Sequence, residues 1–230
     1  MSASLSSHGR SLDVGRFGID RDSLPAWDAG PIDLSAWFAD DDRADHPLDL
    51  EIGSGKGTFL VQQAVQTPNI NYVGLEYARA FWRHAADRVR RNNITNVRLV
   101  HTEAGAFVRN LIADRSIRQV HIYFPDPWPK KRHNKRRLVQ APFLLELHRI
   151  LADPRADDTE AGQVRLATDH ADYFEWMEEH AAKVADHFDR LPFERPASAG
   201  EGELVGTNFE RKYREEGRQF QGMILRKKVL

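Results

Sequence analysis

Residues 48–57 read Leu48-Asp49-Leu50-Glu51-Ile52-Gly53-Ser54-Gly55-Lys56-Gly57, a strand-like run that leads directly into a glycine-rich turn. Beyond this turn, short runs rich in β-formers alternate with windows of helical periodicity. We predict strands at Leu48–Ile52, Asn71–Glu76, Val97–His101, Val120–Phe124 and Val164–Thr168, and helices from Thr58, at Ala80–Asn92 and at Ala141–Leu151. Such alternation predicts an α/β fold with a mostly parallel, doubly wound sheet, which Met223–Leu225 could close as an antiparallel strand.

Composition limits the class of protein. The chain has 230 residues, of which 41% are hydrophobic, enough for one substantial core, and a net charge of −1, which argues against general polyanion binding. It has no cysteine, so disulfides, thiolate zinc sites and cysteine nucleophiles are excluded, and its histidines have no metal-binding spacing, so we predict no metal. No signal-peptide segment and no membrane-length apolar run is found, so we expect a soluble, cytoplasmic protein without a membrane partner.

Two segments differ from the main body. Residues 1–45 are polar, with Trp27, Trp37 and Phe38 as large apolar anchors, and we interpret them as an N-terminal extension that is partly disordered at its start. Residues 46–230 form the main domain. Within it, residues 152–163 have loop composition and look like a surface insertion.

Carboxylates fall at the carboxyl ends of successive predicted strands: Glu51, Glu76, Glu103, Asp126 and Asp169. Because ligands of open α/β sheets bind outside the carboxyl ends of the strands, these five acids indicate a binding site at one sheet edge. Solvated loops are a poor explanation for this regularity.

Three cofactors compete for the turn at 51–57. A P-loop is rejected because Lys56 is followed by Gly57 and the first glycine is missing. The dinucleotide fingerprint matches only in part, since Thr58 occupies the place of its third glycine. S-Adenosylmethionine is favoured, because it carries two positive groups and a ribose diol, which suit Glu51 and a ribose contact from Glu76.

A second stretch, Phe-Pro-Asp-Pro-Trp-Pro-Lys-Lys-Arg-His-Asn-Lys-Arg-Arg at 124–137, joins a strand end to a dense run of cations. Residues 208–230 add seven basic and three acidic residues. Local basic surfaces on a neutral protein are typical of docking to a nucleic acid, although a solvated helix face is the alternative for such a run. Trp128 is either a stacking plate for a base or a packed loop aromatic.

These segments resemble the bacterial tRNA (guanine-N7)-methyltransferases. The matching stretches, in the order of that family, are Leu50–Gly57, Gly74–Glu76, Phe124–Arg137, Ala167–Asp169 and Thr207–Glu210. The stretch at 124–137 is highly specific, whereas most class I methyltransferases have a similar glycine turn. Two departures stand out: Glu103 replaces the shorter Asp or Asn that is usual there, and the 152–163 loop is longer than usual.

The resemblance implies a Rossmann-like class I methyltransferase domain at 46–230, with S-adenosylmethionine as cofactor and tRNA as partner. It implies Asp126 as the catalytic residue, and cofactor contacts from Glu51, Gly53, Gly55, Glu76, Glu103 and Asp126. For the guanosine it implies Lys130, Asp169, Thr207, Asn208, Phe209 and Glu210, and for the RNA backbone Arg132, Lys135, Arg136 and Arg137.

The implied reaction is methyl transfer to N7 of a tRNA guanosine, giving 7-methylguanosine in the variable loop. Guanine N7 has a free lone pair and the methyl group is already activated, so the protein mainly has to align the reactants. Two alternatives stay open: a class I methyltransferase acting on another RNA base or an amide nitrogen, and a catalytically silent RNA-binding module. No obligatory protein partner is evident, and the sequence does not distinguish a monomer from a homodimer.

Overall fold

The computed structural model describes residues 11–229, which build one mixed sheet with helices on both faces. Its strands are β1 (Gly18–Ile19), β2 (Leu48–Ile52), β3 (Asn71–Glu76), β4 (Val97–His101), β5 (Gln119–Tyr123), β6 (Gln163–Thr168), β7 (Phe188–Pro192) and β8 (Gln221–Lys227). They lie in the order β1-β4-β3-β2-β5-β6-β8-β7. The five predicted strands are confirmed to within one residue at each end.

The α-helices of the described chain are α1 (Thr58–Gln66), α2 (Arg79–Arg91), α3 (Ala104–Leu111), α4 (Ala141–Ile150), α5 (Ala171–Ala182) and α6 (Asn208–Arg214). The helices predicted after β2, after β3 and at residues 141–151 are therefore confirmed. Within residues 11–229, none of these helices is both long and apolar enough to cross a membrane.

Two apolar clusters cover the two faces of the sheet. On one face α1 and α2 contribute Phe59 and Trp82. On the other face α3, α4 and α5 contribute Phe107, Leu144 and Met177. Each fully buried large apolar side chain contributes about 1.5–3 kcal/mol to stability. Because the parallel sheet is covered on both faces, nearly every residue of its central strands is buried, including charged ones such as Asp49, Arg98 and Arg165.

The strand order reverses at β2, which pairs in parallel with β3 on one side and with β5 on the other. Glu51 lies opposite Gly74 on β3 and opposite His121 on β5. The chain runs outward from β2 to β3 and β4, and then returns to β5 and β6. A crevice between diverging connections forms at such a switch point, and it opens at the carboxyl ends of the strands.

The C-terminal edge of the sheet is antiparallel. β8 pairs with β6, placing Leu225 opposite Val164, and β7 pairs with β8 in the same antiparallel sense. The predicted closing strand is confirmed by β8, and the doubly wound fold class is confirmed with it. β7 was not among the predicted strands.

The N-terminal segment is attached to the opposite edge. Gly18 of β1 lies opposite Leu99 of β4 in a parallel pair, and Phe38 is fully buried in the core. Of the three expected aromatic anchors, Trp37 is half-buried against the core, whereas Trp27 is 41% exposed and is not an anchor. The expected disorder falls on residues 1–10, which lie outside the described residues, and the domain boundary at residue 45 stays a prediction.

Candidate active site

The glycine turn after β2 leaves open space above its backbone. Gly53 and Gly55 have φ values of +81° and +54°, a region that side chains rarely adopt. A Cβ atom added to either glycine would have no heavy atom within 4 Å apart from its chain neighbours. The turn therefore presents bare, curved backbone to the crevice, as a closely bound ligand requires.

Glu76, the last residue of β3, holds this turn in place. One carboxylate oxygen accepts a hydrogen bond from the Gly55 amide at 2.8 Å, and the other accepts from the Ala78 amide at 2.7 Å. The carboxylate thereby links the turn after β2 to the start of α2. Both oxygens keep unused lone pairs, so the group can still accept hydrogen bonds from a ligand.

Glu51 is buried at the floor of the crevice. Its side chain is only 3% exposed, and its Oε2 atom has no hydrogen-bond partner among the described residues. Burial, reinforced by the charge of Glu76, raises the pKa of Glu51 well above its ordinary value. A buried carboxyl group with an unpaired oxygen is costly to maintain, and a cationic ligand group would satisfy it.

Glu103, after β4, is the N-cap of α3. Its two carboxylate oxygens accept from the amides of Gly105 and Ala106, at 2.8 and 2.7 Å. Carboxylates are favoured at this position because the first amides of a helix have no partners within it. The structure thus gives Glu103 a capping role, and its contact with an adenine stays a prediction.

Asp126 lies on a strained loop that follows β5. Phe124 and Trp128, two residues to either side of it, have φ values of +53° and +43°. Left-handed backbone at bulky residues costs about 1–3 kcal/mol each and persists where the surrounding structure imposes it. Pro125 and Pro127 fix the intervening backbone. Asp126 is therefore an exposed residue on a loop of fixed backbone conformation at the sheet edge.

Aromatic packing joins this loop to the C-terminal segment. The ring of Phe124 stacks on Phe209 of α6 at 5.0 Å and meets Phe220 edge-on at 5.6 Å. Nearby, Asp169 at the end of β6 forms an ion pair with Arg218 at 2.5 Å. These contacts bring α6 next to the loop after β5 and residues 218–220 next to the ends of β5 and β6, so Asp169 and Phe209, two of the predicted substrate-binding residues, lie near the Asp126 loop.

The residues at 207–210 divide into two pairs. Thr207 caps α6, since its hydroxyl accepts from the Glu210 amide at 3.0 Å. Glu210 is fully buried and accepts from the amides of residues 204, 205 and 206, as well as from Arg214. Asn208 and Phe209 are exposed. The observed role of Glu210 is therefore to shape the preceding loop, and a direct contact with the substrate stays a prediction.

The cationic run at 130–137 is mostly solvent-facing. Its exposed members are Lys130, Lys131, Arg132, Lys135 and Arg136. Arg136 also lies over the ring of Trp128, at 5.0 Å from the ring centre. Trp128 is thus a half-buried part of this surface, packed by Arg136 and by His133, whose ring lies 5.9 Å away.

Arg137 does not lie on this surface. It is only 1% exposed, it donates to the Pro127 carbonyl at 2.8 Å, and it pairs with Asp172. Its guanidinium group also lies over the rings of Tyr173 and Trp176. The expected contact between Arg137 and RNA backbone is therefore replaced by a structural role: this arginine fixes the loop at 124–137 to α5.

Arg218 and Phe220 also support this site, and no motif in the sequence predicts either of them. The first neutralises Asp169 and the second supports Phe124. The only signal available was the excess of basic residues after position 208, which does not specify a partner. Among the described side chains, no group of histidines and carboxylates is arranged to hold a metal ion.

Solved methyltransferase structures share this fold. A methyltransferase from Pyrococcus furiosus aligns with a TM-score of 0.53 at 18% identity, covering 84% of this chain and 80% of the other. A 30S ribosomal A1408 methyltransferase from an uncultured bacterium aligns with a TM-score of 0.52 at 11% identity, covering 84% of this chain and 94% of the other. The protein thus has the fold of a class I methyltransferase.

Sequence relatives identify the particular family. A family model described as "Putative methyltransferase" matches residues 45–222. A tRNA (guanine-N(7)-)-methyltransferase from Streptococcus gordonii is 34% identical over 75% of this chain and 77% of its own length. A protein of the same name from Geobacillus is 33% identical over 75% of this chain and 74% of its own length. The chain belongs to the tRNA (guanine-N7)-methyltransferase family, as its motifs predicted.

Proposed function

We propose that the protein transfers a methyl group from S-adenosylmethionine to N7 of a guanosine in tRNA. The observation that carries this proposal is one shared sheet edge: the carboxylate-lined glycine turn and the loop with Asp126 and the exposed cations both lie at the carboxyl ends of the strands. The names of the relatives support the same reaction. The variable loop is the proposed location of the guanosine.

The residues of the crevice fit S-adenosylmethionine. The unpaired oxygen of Glu51 suits a positive group, and the free lone pairs of Glu76 suit a ribose diol. The bare backbone of Gly53 and Gly55 allows close approach. When bound, this cofactor supplies an activated methyl group. The protein has to bind it, exclude water and align it with the base.

The other half of the proposed site recognises and stabilises guanine. A carboxylate can accept hydrogen bonds from both the N1–H and the N2 amino group of guanine, which adenine does not offer together, and such pairing discriminates strongly. Methylation at N7 also makes the ring positive. We assign Asp126 to stabilise this charge, as a fixed carboxylate near the reacting base. Asp169, with its Arg218 partner, lies beside it at the end of β6.

Replacing Glu76 tests the cofactor half of the site. We expect Glu76→Ala to weaken S-adenosylmethionine binding by about 1–3 kcal/mol, because it removes ribose contacts and also frees the amides of Gly55 and Ala78. Isothermal titration calorimetry measures the change. Glu175→Ala, at an exposed position on α5, serves as the control for a lost carboxylate. Tight binding of a nicotinamide dinucleotide, with none of S-adenosylmethionine, would overturn the cofactor assignment.

Neutralising the exposed cations tests RNA binding. In Arg132→Gln, Lys135→Gln and Arg136→Gln variants, each lost phosphate contact should lower the slope of log affinity against log salt concentration by roughly 0.7–0.9. The control is Arg155→Gln, an equal charge change at an exposed residue of the loop before β6. Unchanged slopes in the three variants would show that the run is only a solvated surface.

Nucleoside mass spectrometry of unmodified tRNA incubated with the protein and S-adenosylmethionine tests the reaction itself. We expect 7-methylguanosine, located in the variable loop when the RNA is digested into fragments before analysis. A different methylated nucleoside would favour the alternative of a methyltransferase for another RNA base. No methylation, despite tRNA binding, would favour the silent RNA-binding module.

A further inference from the structure

Arginines from two helices meet on one face of α1. Arg88 of α2 donates to the Thr58 hydroxyl at 3.0 Å. On the next turn, with the Gln62 amide oxygen turned toward it, Arg211 of α6 donates to that oxygen at 3.1 and 3.2 Å. Residues four apart on a helix lie one above the other, so the two guanidinium groups share one stripe of α1.

The arginines of this stripe are only partly neutralised by carboxylates. Arg91 pairs with Asp87 at 2.9 Å, and Arg211 pairs with Glu203 at 2.5 Å. In contrast, Arg88 forms no ion pair with any carboxylate in residues 11–229. Burial, together with the charges of Arg91 and Arg211, lowers the pKa of Arg88. Arg88 is thus a half-buried cation that repels its neighbours, an arrangement that an anion would stabilise.

The adjoining surface has room for a ligand. An open cavity of about 320 Å³ lies on α1 and is lined by Val61, Gln62, Val65, Gln66 and Ser198. Gln62 is common to this cavity and to the arginine stripe. Guanidinium groups bind phosphate oxygens in pairs, and concave surfaces beside them suit a sugar–phosphate chain.

We propose that Arg88, Arg91 and Arg211 form a second phosphate-binding surface, which holds the backbone of the tRNA beside α1. The proposal rests on the proposed function, since it takes tRNA as the ligand. Its connection to the site is α6: Phe209 of this helix stacks on the loop that carries Asp126, and Arg211 lies two residues further on. α6 thus contacts the loop that carries Asp126 through Phe209 and α1 through Arg211.

The test is tRNA binding by Arg88→Gln and Arg91→Gln variants at several salt concentrations. Glutamine at position 88 keeps a donor for Thr58, and Asp87 keeps its second partner, Arg90, when Arg91 is replaced. Each variant should lower the log–log salt slope by roughly 0.7–0.9, and Arg155→Gln should leave it unchanged. The loss of affinity between 50 and 200 mM salt then shrinks about threefold per contact, while affinity for S-adenosylmethionine stays constant.

Two results would overturn this surface. Wild-type slopes in both variants would mean that Arg88 and Arg91 do not contact RNA. Protection of Arg88 by inorganic phosphate, without any effect of the variants on tRNA binding, would identify a small-anion site instead. Failure of the proposed reaction has a different signature: wild-type protein would form no 7-methylguanosine, while Arg88→Gln still lowered the salt slope.

Discussion

Asp126→Asn is expected to reduce the rate of tRNA methylation by about 10²-fold or more, the size of the loss on removing one pre-organised electrostatic contact. Asparagine keeps the shape of the side chain, but it loses the charge and one acceptor. The variant would therefore bind guanine less selectively and stabilise the positive product less. The effect should appear in kcat more than in affinity for S-adenosylmethionine, because the proposed role of the carboxylate is to act on the base.

Folding should be almost unaffected. Asp126 is exposed, and its loop is fixed by Phe124 packing, by two prolines and by the Arg137 bond to Pro127. Surface substitutions away from such supports usually change stability by less than about 0.5 kcal/mol. The strain at Phe124 and Trp128 is borne by these supports, so it does not depend on the charge of Asp126.

Single-turnover methylation of tRNA and thermal denaturation, measured on the same preparation, separate the two effects. Asp157→Asn, an equal charge change at an exposed residue of the loop before β6, is the matched control. Near-normal methylation by Asp126→Asn would remove this residue from catalysis. A large fall in Tm would make it structural, and Asp169 would then be the next residue to test for the catalytic role.

The predictable part of the fold is the part with strong periodic signals. β2 to β6 are runs of five or six residues that each hold at least two Val, Leu or Ile residues, and burial on both faces makes this enrichment visible in the sequence. β1 has only two residues, and β7, at the sheet edge, buries Phe188 alone and exposes Arg190 and Pro192. Their strand state depends on pairing with β4 and β8, which local composition does not record.

Prediction of the site from sequence is limited by tertiary contacts in the same way as prediction of β1 and β7. The strand-end carboxylates were predictable because strand ends are local, but their hydrogen-bond partners come from elsewhere in the chain. Arg137 ends a run of cations in the sequence, yet its partners Asp172, Tyr173 and Trp176 lie on α5. Glu210 likewise turns inward to satisfy amides of residues 204–206. Charge patterns predict where cations cluster, and tertiary packing decides which of them face solvent.

Glu51→Gln is expected to separate cofactor affinity from stability. If the buried carboxylate binds a positive group of S-adenosylmethionine, its loss should raise the Kd by about tenfold to a hundredfold, the value of a hydrogen bond to a charged group. The unliganded variant should not be destabilised at neutral pH, because the wild-type protein keeps an unpaired, costly carboxyl group in that place.

The dependence on pH follows from the raised pKa of Glu51. Between the ordinary pKa of glutamate and this raised value, the folded protein holds a proton that the unfolded chain releases, so this group makes the unliganded protein less stable as pH rises. The cationic cofactor binds the ionised form. Binding should therefore release a proton in the same pH range, and affinity should increase as pH rises through it. Glu51→Gln should lack both the loss of stability with rising pH and the proton release that we attribute to Glu51.

Calorimetry in two buffers of different ionisation enthalpy measures the released proton, and the variant corrects for titration of the cofactor itself. Denaturation of both proteins across the pH range tests the effect on stability. As pH rises, the free energy of unfolding of the wild-type protein should fall relative to that of Glu51→Gln. Equal proton release in the two proteins, or unchanged affinity in the variant, would place the positive group of the cofactor elsewhere. Glu76, at the neighbouring strand end and charged beside Glu51, would then be the group to replace next.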